Sequence, residues 1–256
     1  MDSEIARPDK ETVGPELYEQ LGKKWYEAGD DPIALLRHQH QLTNPWMLAE
    51  IRKNIGYRAE ILDIGCGPGF FANEAVKLGH KVTGIDISTT QLRVAQLRDA
   101  TKSVRYIYGD AYAIPYPRES FDVVMAMDLL EHVSDPQKVL FEASRVLRPG
   151  GLMFFHTFNR NFLSYLLVVK GVQWFVKNTP ADLHVYQLFR KPEEVEEWID
   201  NAGMDLKVTR GLAPVLWQAG WWQLLWNRVV PESFQFRWTK SRLVSYIGYA
   251  KKLREQ

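Results

Sequence analysis

Three glycines, Gly65, Gly67 and Gly69, follow directly on a mostly apolar run at residues 61–64. A short apolar run that ends at glycines is typical of a buried strand leading into a turn. Glycines in such a turn let the backbone approach a ligand without an intervening side chain. A second apolar run ends at Asp86, 21 residues after Gly65, where a carboxylate can accept hydrogen bonds from both hydroxyls of a ribose. Together the two features predict a nucleoside-binding site.

The spacing of the glycines distinguishes between the nucleotides that such a turn can bind. A dinucleotide-binding fold has a third glycine or an alanine three positions after the second, and Phe70 occupies that position here. A nicotinamide or flavin pyrophosphate is therefore disfavoured. No Lys-Ser or Lys-Thr pair follows the loop, which excludes a P-loop.

A second group of reactive side chains, Asp128, Glu131 and His132, follows the fourth apolar run. Ligands of open sheets bind at the carboxyl ends of the strands, so His132 is the first candidate for a general base. A histidine that caps the next helix or bonds a backbone carbonyl is the alternative. Two carboxylates and an imidazole could also hold one divalent ion, with magnesium preferred by these hard ligands. Otherwise Asp128 and Glu131 are solvated or pair with Arg145 or Arg148.

Two further histidines, His184 and His156, are weaker candidates for a catalytic role. His184 follows an apolar insertion and is the second candidate for the base, with a purely structural histidine as the alternative. His156 lies within a predicted strand and is interpreted as a satisfied core or edge residue. The catalytic candidates are therefore His132, Glu131 and His184.

The elements that would position these residues alternate between strand and helix. Ser88 with Gln91 has the spacing of a capping box and predicts a helix start. Ser134 with Gln137 predicts another, in a helix that ends at residues 149–151. The alternation implies right-handed crossovers and a mainly parallel sheet covered on both faces. Strands are predicted at 61–64, 81–85, 104–108, 121–126, 152–157, 205–209 and 242–249, and further helices at 16–27, 45–53, 70–78 and 192–202.

The alternating glycines after a strand that ends near Asp63 resemble the first motif of class I S-adenosylmethionine-dependent methyltransferases. Residues 109–111 ahead of 114–116 resemble the adenine-edge segment of that family, and residues 147–151 resemble its turn before the fifth strand. The resemblance implies an α/β fold, with a Rossmann-like, mainly parallel, seven-stranded sheet and helices on both faces. It also implies S-adenosyl-L-methionine as the cofactor.

The same resemblance assigns parts of the cofactor to residues. Residues 65–69 would face the methionine end, Asp86 the ribose, and Asp110 with the Ala111 amide the adenine. The predicted cofactor-binding residues are Asp63, Gly65, Cys66, Gly67, Gly69, Asp86, Ile87, Asp110, Ala111 and Met127.

Residues 127–136 and 157–161, and His184 with the following 189–192, are similar to a narrower family, the ubiquinone-biosynthesis O-methyltransferases. That family methylates polyprenylated phenols and catechols. The resemblance implies a lipophilic phenol or catechol as the acceptor, and a metal ion on Asp128, Glu131 and His132 as in some members. The alternatives are a methyltransferase for another small hydrophobic metabolite, a non-catalytic cofactor-binding scaffold and, more distantly, a nucleotide-dependent oxidoreductase.

Charge is distributed unevenly along the 256 residues. The 32 basic and 31 acidic side chains leave a net charge of +1, which argues against a dedicated nucleic-acid binder. Residues 206–256 nevertheless hold nine basic and two acidic residues, a net of +7, whereas residues 1–205 have a net of −6. Cys66 is the only cysteine, and the apolar run 162–169 ends far short of the roughly 20 residues that span a bilayer. We therefore expect a cytoplasmic protein.

The chain is predicted to comprise an N-terminal helical cover, 1–56, and a methyltransferase domain, 57–256, with an insertion at 159–190 and a Trp-rich segment at 211–240. The insertion is apolar at helical spacing and predicts either a lid or an amphipathic element for a lipid tail or membrane interface. Tryptophans among basic residues suit the headgroup region of an anionic bilayer; an aromatic substrate pocket or buried packing are the alternatives. Peripheral contact at the inner face of a membrane is thus expected, and the oligomeric state stays open.

Overall fold

An eight-stranded sheet forms the centre of the computed structural model, which describes residues 22–26, 29–180, 183–215 and 217–254. Its strand order is β3-β2-β1-β4-β5-β8-β6-β7. The strands are β1 Glu60–Ile64, β2 Lys81–Asp86, β3 Arg105–Tyr108, β4 Phe121–Met127, β5 Leu147–Phe158, β6 Met204–Pro214, β7 Phe236–Thr239 and β8 Ser245–Lys252.

The first five strands pair in parallel. β8 lies antiparallel between β5 and β6, and β7 pairs antiparallel with the end of β6. The predicted Rossmann-like, mainly parallel sheet is confirmed, but it has eight strands among the described residues rather than seven. The additional strand, β7, comes from the Trp-rich segment, where its four residues form a strand because they pair with residues 211–214 of β6.

Among the described residues, six α-helices of six residues or more surround the sheet: α1 Ile33–Asn54, α2 Ala72–Lys77, α3 Thr89–Arg98, α4 Pro136–Val146, α5 Pro192–Asn201 and α6 Gly220–Asn227. The predicted helix at 45–53 is the second half of α1. Of the predicted helix at 16–27, the structure describes Gly22–Tyr26, which form a 3₁₀ turn; residues 1–21 of the predicted helical cover lie outside the described residues. The insertion is helical, as a short α-turn Phe162–Ser164, a π-helix Tyr165–Gly171 and a second α-turn Val172–Phe175. We call these three pieces the insertion helix.

Local side-chain chemistry sets where two of the helices begin. The Ser88 hydroxyl accepts a hydrogen bond from the Gln91 amide at 3.4 Å, so the predicted start of α3 is confirmed. The predicted cap at Ser134 is wrong by one residue, because Asp135 accepts the bond from the Lys138 amide at 3.0 Å. Residues 149–151 do not end this helix but lie within β5, which begins directly after Val146.

Alternate residues of the central strands point to opposite faces of the sheet, as the two-residue period of a strand requires. Helices α4 and α5 cover one face, and α1, α2 and α3 cover the other. The core residues are Leu62, Ile64, Val124, Ala126, Met153 and Phe155 on the first face, and Ile61, Val123, Met125, Leu152 and Phe154 on the second. The expectation of helices on both faces is therefore confirmed. No helix within the described ranges is both long and apolar enough to cross a membrane.

The packing of helices on the first face of the sheet includes Ile199, a fully buried residue of α5. We expect Ile199→Ala to lower the free energy of unfolding by about 2–5 kcal/mol, because it removes apolar contacts and leaves a cavity. The measurement is urea denaturation followed by circular dichroism. Leu97→Ala, on the exposed side of α3, is the control and should change the free energy by about 0.5 kcal/mol or less. Equal losses in the two variants would contradict this packing.

Candidate active site

The glycine loop after β1 is held against the end of β2. The backbone amides of Gly65 and Cys66 both donate to the Ile85 carbonyl, at 2.8 and 3.0 Å. Gly65, Gly67 and Gly69 have φ angles of +66°, +54° and +82°, which residues with a side chain rarely adopt. A Cβ atom on Gly65 would also lie 2.9 Å from the Leu129 side chain. The loop therefore needs glycine both for its backbone shape and for its close approach to the neighbouring loop.

The Asp86 carboxylate at the end of β2 holds the other side of the glycine loop by hydrogen bonds. One oxygen accepts the Gly67 amide at 2.9 Å, and the other accepts the Ser88 amide at 2.8 Å. Asp63 lies nearby at the end of β1 and is almost completely buried. Burial, together with the negative charge of Asp86, raises the pKa of Asp63 to about 8. Two neighbouring carboxyl groups removed from water make this end of the site favourable for a positively charged ligand.

A cavity of about 1100 Å³ begins at this loop and extends to the insertion helix and α6. All but one of the predicted cofactor residues line it, namely Asp63, Gly65, Cys66, Gly67, Asp86, Ile87, Asp110, Ala111 and Met127. Gly69 does not. A Cβ atom there would overlap the Tyr106 hydroxyl and lie 3.0 Å from the Asn73 amide nitrogen. Gly69 thus allows close packing behind the loop.

The predicted catalytic residues line the middle of the same cavity. The rings of His132 and His184 are nearly parallel, at an angle of 26°, with their centroids 6.2 Å apart. Removal from water lowers the pKa of His132 to about 4. It also lowers the pKa of His184 to about 3, with the neighbouring His132 as a further cause. Both imidazoles are therefore neutral at pH 7.

Glu131 is the buried carboxyl group of this cluster. Its Oε2 accepts the Thr157 hydroxyl at 2.7 Å, whereas its Oε1 has no hydrogen-bond partner among the described residues. Burial, aided by the negative charge of Asp128, raises the pKa of Glu131 to about 7. One oxygen is thus anchored, while the other, although shielded from solvent, has no partner among the described residues and belongs to a side chain that lines the cavity.

Known proteins are similar to this chain in both sequence and fold. A family model described as a methyltransferase domain matches residues 62–155. Over 202 residues the chain is 35% identical to the ubiquinone biosynthesis O-methyltransferase of Leptothrix cholodnii, covering 76% of this chain and 83% of that protein. Over 200 residues it is 36% identical to the enzyme of the same name from Thiobacillus denitrificans, covering 76% and 84%.

The chain belongs to the ubiquinone biosynthesis O-methyltransferase family. It is an S-adenosylmethionine-dependent methyltransferase with the class I fold. Solved structures are more distant and show the fold. The YcgJ protein of Bacillus subtilis has a TM-score of 0.59 at 16% identity, covering 85% of this chain and 100% of that chain. A methyltransferase of Methanosarcina mazei has a TM-score of 0.57 at 20% identity, covering 80% and 98%.

The loop end of the methyltransferase cavity fits S-adenosylmethionine. The glycine loop offers a backbone surface on which a Cβ atom would intrude. The Asp86 carboxylate lies at the carboxyl edge of the sheet, where open α/β sheets commonly hold the ribose of a nucleotide. The cofactor carries a positive sulfonium and a positive ammonium group, and the buried carboxyl groups of Asp63 and Asp86 complement that charge. The residues predicted for the cofactor therefore suit it chemically.

Sequence reasoning missed the ion pair behind the catalytic cluster. His156, fully buried in β5, lies with its Nδ1 2.6 Å from an Asp128 carboxylate oxygen, and the Gln39 side chain donates to the other oxygen at 3.0 Å. Burial on its own would raise the pKa of Asp128, but the charge and hydrogen bond of His156 lower it. Burial would likewise lower the pKa of His156, and Asp128 raises it above its usual value. His156 is thus a core residue, as predicted, but it is not fully satisfied, because its buried Nε2 has no hydrogen-bond partner among the described residues.

The predicted metal site on Asp128, Glu131 and His132 is not formed. The parts of the chain that the structure describes contain no group of three or more His, Cys, Asp or Glu side chains placed to hold a metal ion. The physical reason is that the Asp128 carboxylate is bound by His156 and Gln39, while one Glu131 oxygen is bound by Thr157. The alternative pairing of Asp128 or Glu131 with Arg145 or Arg148 is also wrong. These arginines bind Glu142, and Glu60 with Asp122.

A second missed residue is Arg190, which is buried between the insertion and α5. Its guanidinium donates to the carbonyls of Leu130 and Val133, at 3.2 and 2.8 Å. These carbonyls flank Glu131 and His132, so Arg190 holds the loop that carries these two residues in shape. The family-like segment 189–192 contains this arginine, but only the tertiary contact reveals what it binds.

Asp86 offers a direct test of the cofactor site. We expect Asp86→Asn to weaken S-adenosylmethionine binding about 10- to 100-fold, because hydrogen bonds to a charged group contribute about 1.5–3 kcal/mol. The measurement is isothermal titration calorimetry, with the thermal midpoint of the ligand-free variant recorded to separate folding from binding. Asp200→Asn, at an exposed position of α5, is the control. An unchanged dissociation constant for Asp86→Asn would contradict the ribose assignment.

Proposed function

We propose that this methyltransferase transfers a methyl group to a phenolic oxygen of a lipophilic phenol or catechol, a polyprenylated quinone precursor. One observation carries the proposal: a single cavity joins the cofactor loop, the Glu131–His132–His184 cluster and a long apolar wall. The identity of the relatives supports it, since they are ubiquinone biosynthesis O-methyltransferases.

The far half of the cavity has the chemistry of a hydrocarbon site. Ligand pockets usually enclose about 300–1000 Å³, so a cavity of about 1100 Å³ has room for a cofactor and a second, sizeable molecule. Burial of each methylene of a prenyl chain contributes about 0.8 kcal/mol. The apolar wall comprises Leu35, Leu36, Leu166, Leu167, Val172, Trp174, Phe175, Trp221, Leu224, Phe234 and Phe236.

Glu131 is the group we assign to proton transfer. S-Adenosylmethionine supplies an activated methyl group when it is bound, so the chain must align the acceptor oxygen and take its proton. An ordinary phenol has a pKa of about 10, and a base with a pKa of about 7 is well matched to accept its proton at neutral pH. Glu131 Oε1 is the acceptor atom, because Oε2 is bound to Thr157.

His132, the first candidate from sequence, takes a different role in this proposal. A group with a pKa of about 4 is a weak base. As neutral imidazoles in the cavity wall, His132 and His184 orient the phenol oxygen by hydrogen bonds. Their nearly parallel rings also form an aromatic wall that suits a flat acceptor.

Glu131→Gln tests the proton-transfer role. We expect kcat to fall about 10²- to 10⁴-fold while S-adenosylmethionine binding stays nearly unchanged. In the unmodified enzyme kcat should rise with pH and level off above about 7, because Glu131 accepts a proton only when ionised. The measurement is steady-state methyl transfer with labelled cofactor across this range.

Two companion variants complete that test. Glu197→Gln, on the exposed side of α5, should retain full turnover and the same pH profile. His132→Ala should also lower turnover through loss of orientation. Unchanged turnover in both Glu131→Gln and His132→Ala would remove the proposed role of the cluster.

The length of the acceptor tail tests the apolar wall. Catechols with zero, one, two or three prenyl units should show KM falling at least about tenfold with the first unit, because each buried methylene contributes about 0.8 kcal/mol. Product formation is followed with labelled S-adenosylmethionine. A KM independent of the tail would favour another small hydrophobic metabolite, and cofactor binding without any product would favour a scaffold.

A further inference from the structure

His40, on helix α1, is a histidine of the cavity wall that lies outside the catalytic cluster. Its ring is half-buried and lines the cavity. The ring of Phe70, which directly follows the glycine loop, lies 5.3 Å from it between centroids. The neighbouring Gln39 donates to the Asp128 carboxylate at 3.0 Å. Helix α1 therefore places His40 between the glycine loop and the loop after β4, the two loops that flank the cofactor site.

The Asn44 amide determines which ring nitrogen of His40 can reach a ligand. Asn44 Nδ2 donates to the Phe70 carbonyl at 3.0 Å, so Asn44 Oδ1 is the atom that faces His40. Because Oδ1 can only accept, its 3.0 Å contact with His40 Nδ1 has Nδ1 as the donor. Nε2 is the nitrogen that remains for a ligand. It accepts a hydrogen bond in the neutral ring and donates one in the imidazolium.

The glycine-loop end of the cavity is rich in carboxyl groups, namely Asp63, Asp86 and Asp128. They suit the sulfonium and the ammonium of S-adenosylmethionine, but the methionine end of this cofactor also carries a carboxylate. A carboxylate held away from water among other carboxyl groups is unfavourable unless a cation pairs with it. This part of the site therefore needs a basic group.

His40 is the basic group that the cavity wall offers at this place. Among the described residues that line the cavity there is no lysine, and Arg237 is the one arginine. Arg237 is exposed on β7, next to Phe236 of the apolar wall. His132 and His184 lie beside each other in the catalytic cluster. Position and charge together thus favour His40 as the partner of the cofactor carboxylate.

We propose that His40, as an imidazolium, binds the carboxylate at the methionine end of S-adenosylmethionine through its Nε2–H group, while Asn44 holds the ring in place. Burial lowers the pKa of His40, so the ring is mostly neutral at pH 7 before the cofactor binds. Of the charged groups nearby, Asp128 favours the imidazolium and His156 opposes it. A bound carboxylate adds a second favourable charge, and His40 then takes up a proton from water.

Two ligands that differ by one group isolate this contact. S-Adenosylmethionine has the carboxylate, whereas decarboxylated S-adenosylmethionine lacks it and keeps the sulfonium and the ammonium. We expect His40→Leu to bind S-adenosylmethionine about 10- to 100-fold more weakly, because it loses a charge-assisted hydrogen bond. It should bind the decarboxylated ligand as the unmodified chain does. The measurement is isothermal titration calorimetry, with the thermal midpoint of each ligand-free variant recorded.

His38→Leu is the matched control, since it makes the same substitution two residues earlier on α1. His38 contacts Gln41 and is not among the described residues that line the cavity, so this variant should bind both ligands like the unmodified chain. Equal weakening of both ligands in His40→Leu would overturn the proposal, because the loss would then be steric. It would also be overturned if Arg237→Gln abolished the preference for the carboxylate and His40→Leu did not.

A second variant keeps the test decisive if His40→Leu does not fold. His40→Gln retains a polar side chain with an N–H donor but cannot take up a proton. Its preference for S-adenosylmethionine over the decarboxylated ligand should fall by about tenfold, because the hydrogen bond is no longer assisted by charge. A preference equal to that of the unmodified chain would contradict the role of His40.

Proton uptake distinguishes a charged contact from a structural role. Binding enthalpies measured at neutral pH in buffers of different ionisation enthalpy give the number of protons that accompany binding. The unmodified chain should take up a larger fraction of a proton with S-adenosylmethionine than with the decarboxylated ligand, and His40→Leu should remove this difference. Asp63, whose pKa is raised to about 8, responds to the positive groups that both ligands share. A difference that persists in His40→Leu would refute the proposal.

These measurements do not involve the acceptor. Absence of product with every phenol would leave cofactor binding intact and would count against the proposed function alone. Absence of binding of both ligands to the unmodified chain would contradict the cofactor assignment and this inference together.

Discussion

The parallel pairing of β1 with β4 is the constraint on which the site depends. The chain builds β2 and β3 on one side of β1 and then crosses to β4 on the other side. The loops after β1 and β4 therefore separate at the carboxyl edge and leave a crevice between them. The glycine loop enters from one side and the Glu131–His132 loop from the other. The contact that Leu129 would make with a side chain at Gly65 shows how closely the two loops approach.

Removal from water shifts the pKa values of the carboxyl groups at this edge of the sheet. Asp63, Asp86, Asp128 and Glu131 are gathered around one cavity. Asp128 is hydrogen-bonded to the His156 imidazole, and this contact lowers the pKa of Asp128 despite burial. Burial raises the pKa of Asp63 and of Glu131 instead. Within one cavity, burial thus raises the pKa of two carboxyl groups, whereas a histidine partner lowers the pKa of a third.

The segments added to the shared fold shape the acceptor side. The insertion helix and α6 pack on each other through the apolar cluster around Val176, Leu224 and Phe234. Their inner faces extend the cavity, and their outer faces stay exposed. The fold common to distant methyltransferases therefore accounts for the glycine-loop half of the cavity, while these two helices form much of its apolar half.

The local sequence determined much of the fold and of the cofactor site. Three features follow from neighbouring residues alone and can be predicted from sequence. They are the glycines at positions of positive φ, the apolar runs that end at the sheet edge, and the Ser88 cap. Local rules did not predict the cap at Asp135 or the strand β7. Asp135 caps the helix in place of the adjacent Ser134, and β7 forms because it pairs with β6.

The spacing of Asp128, Glu131 and His132 suggested a shared metal ligand set. The partners His156, Gln39 and Thr157, which bind two of these carboxylates, are 26 to 89 residues away from them in the chain. Only the tertiary structure decides such contacts, because hydrogen bonding and burial of a charged group depend on which distant strands and helices are brought against it.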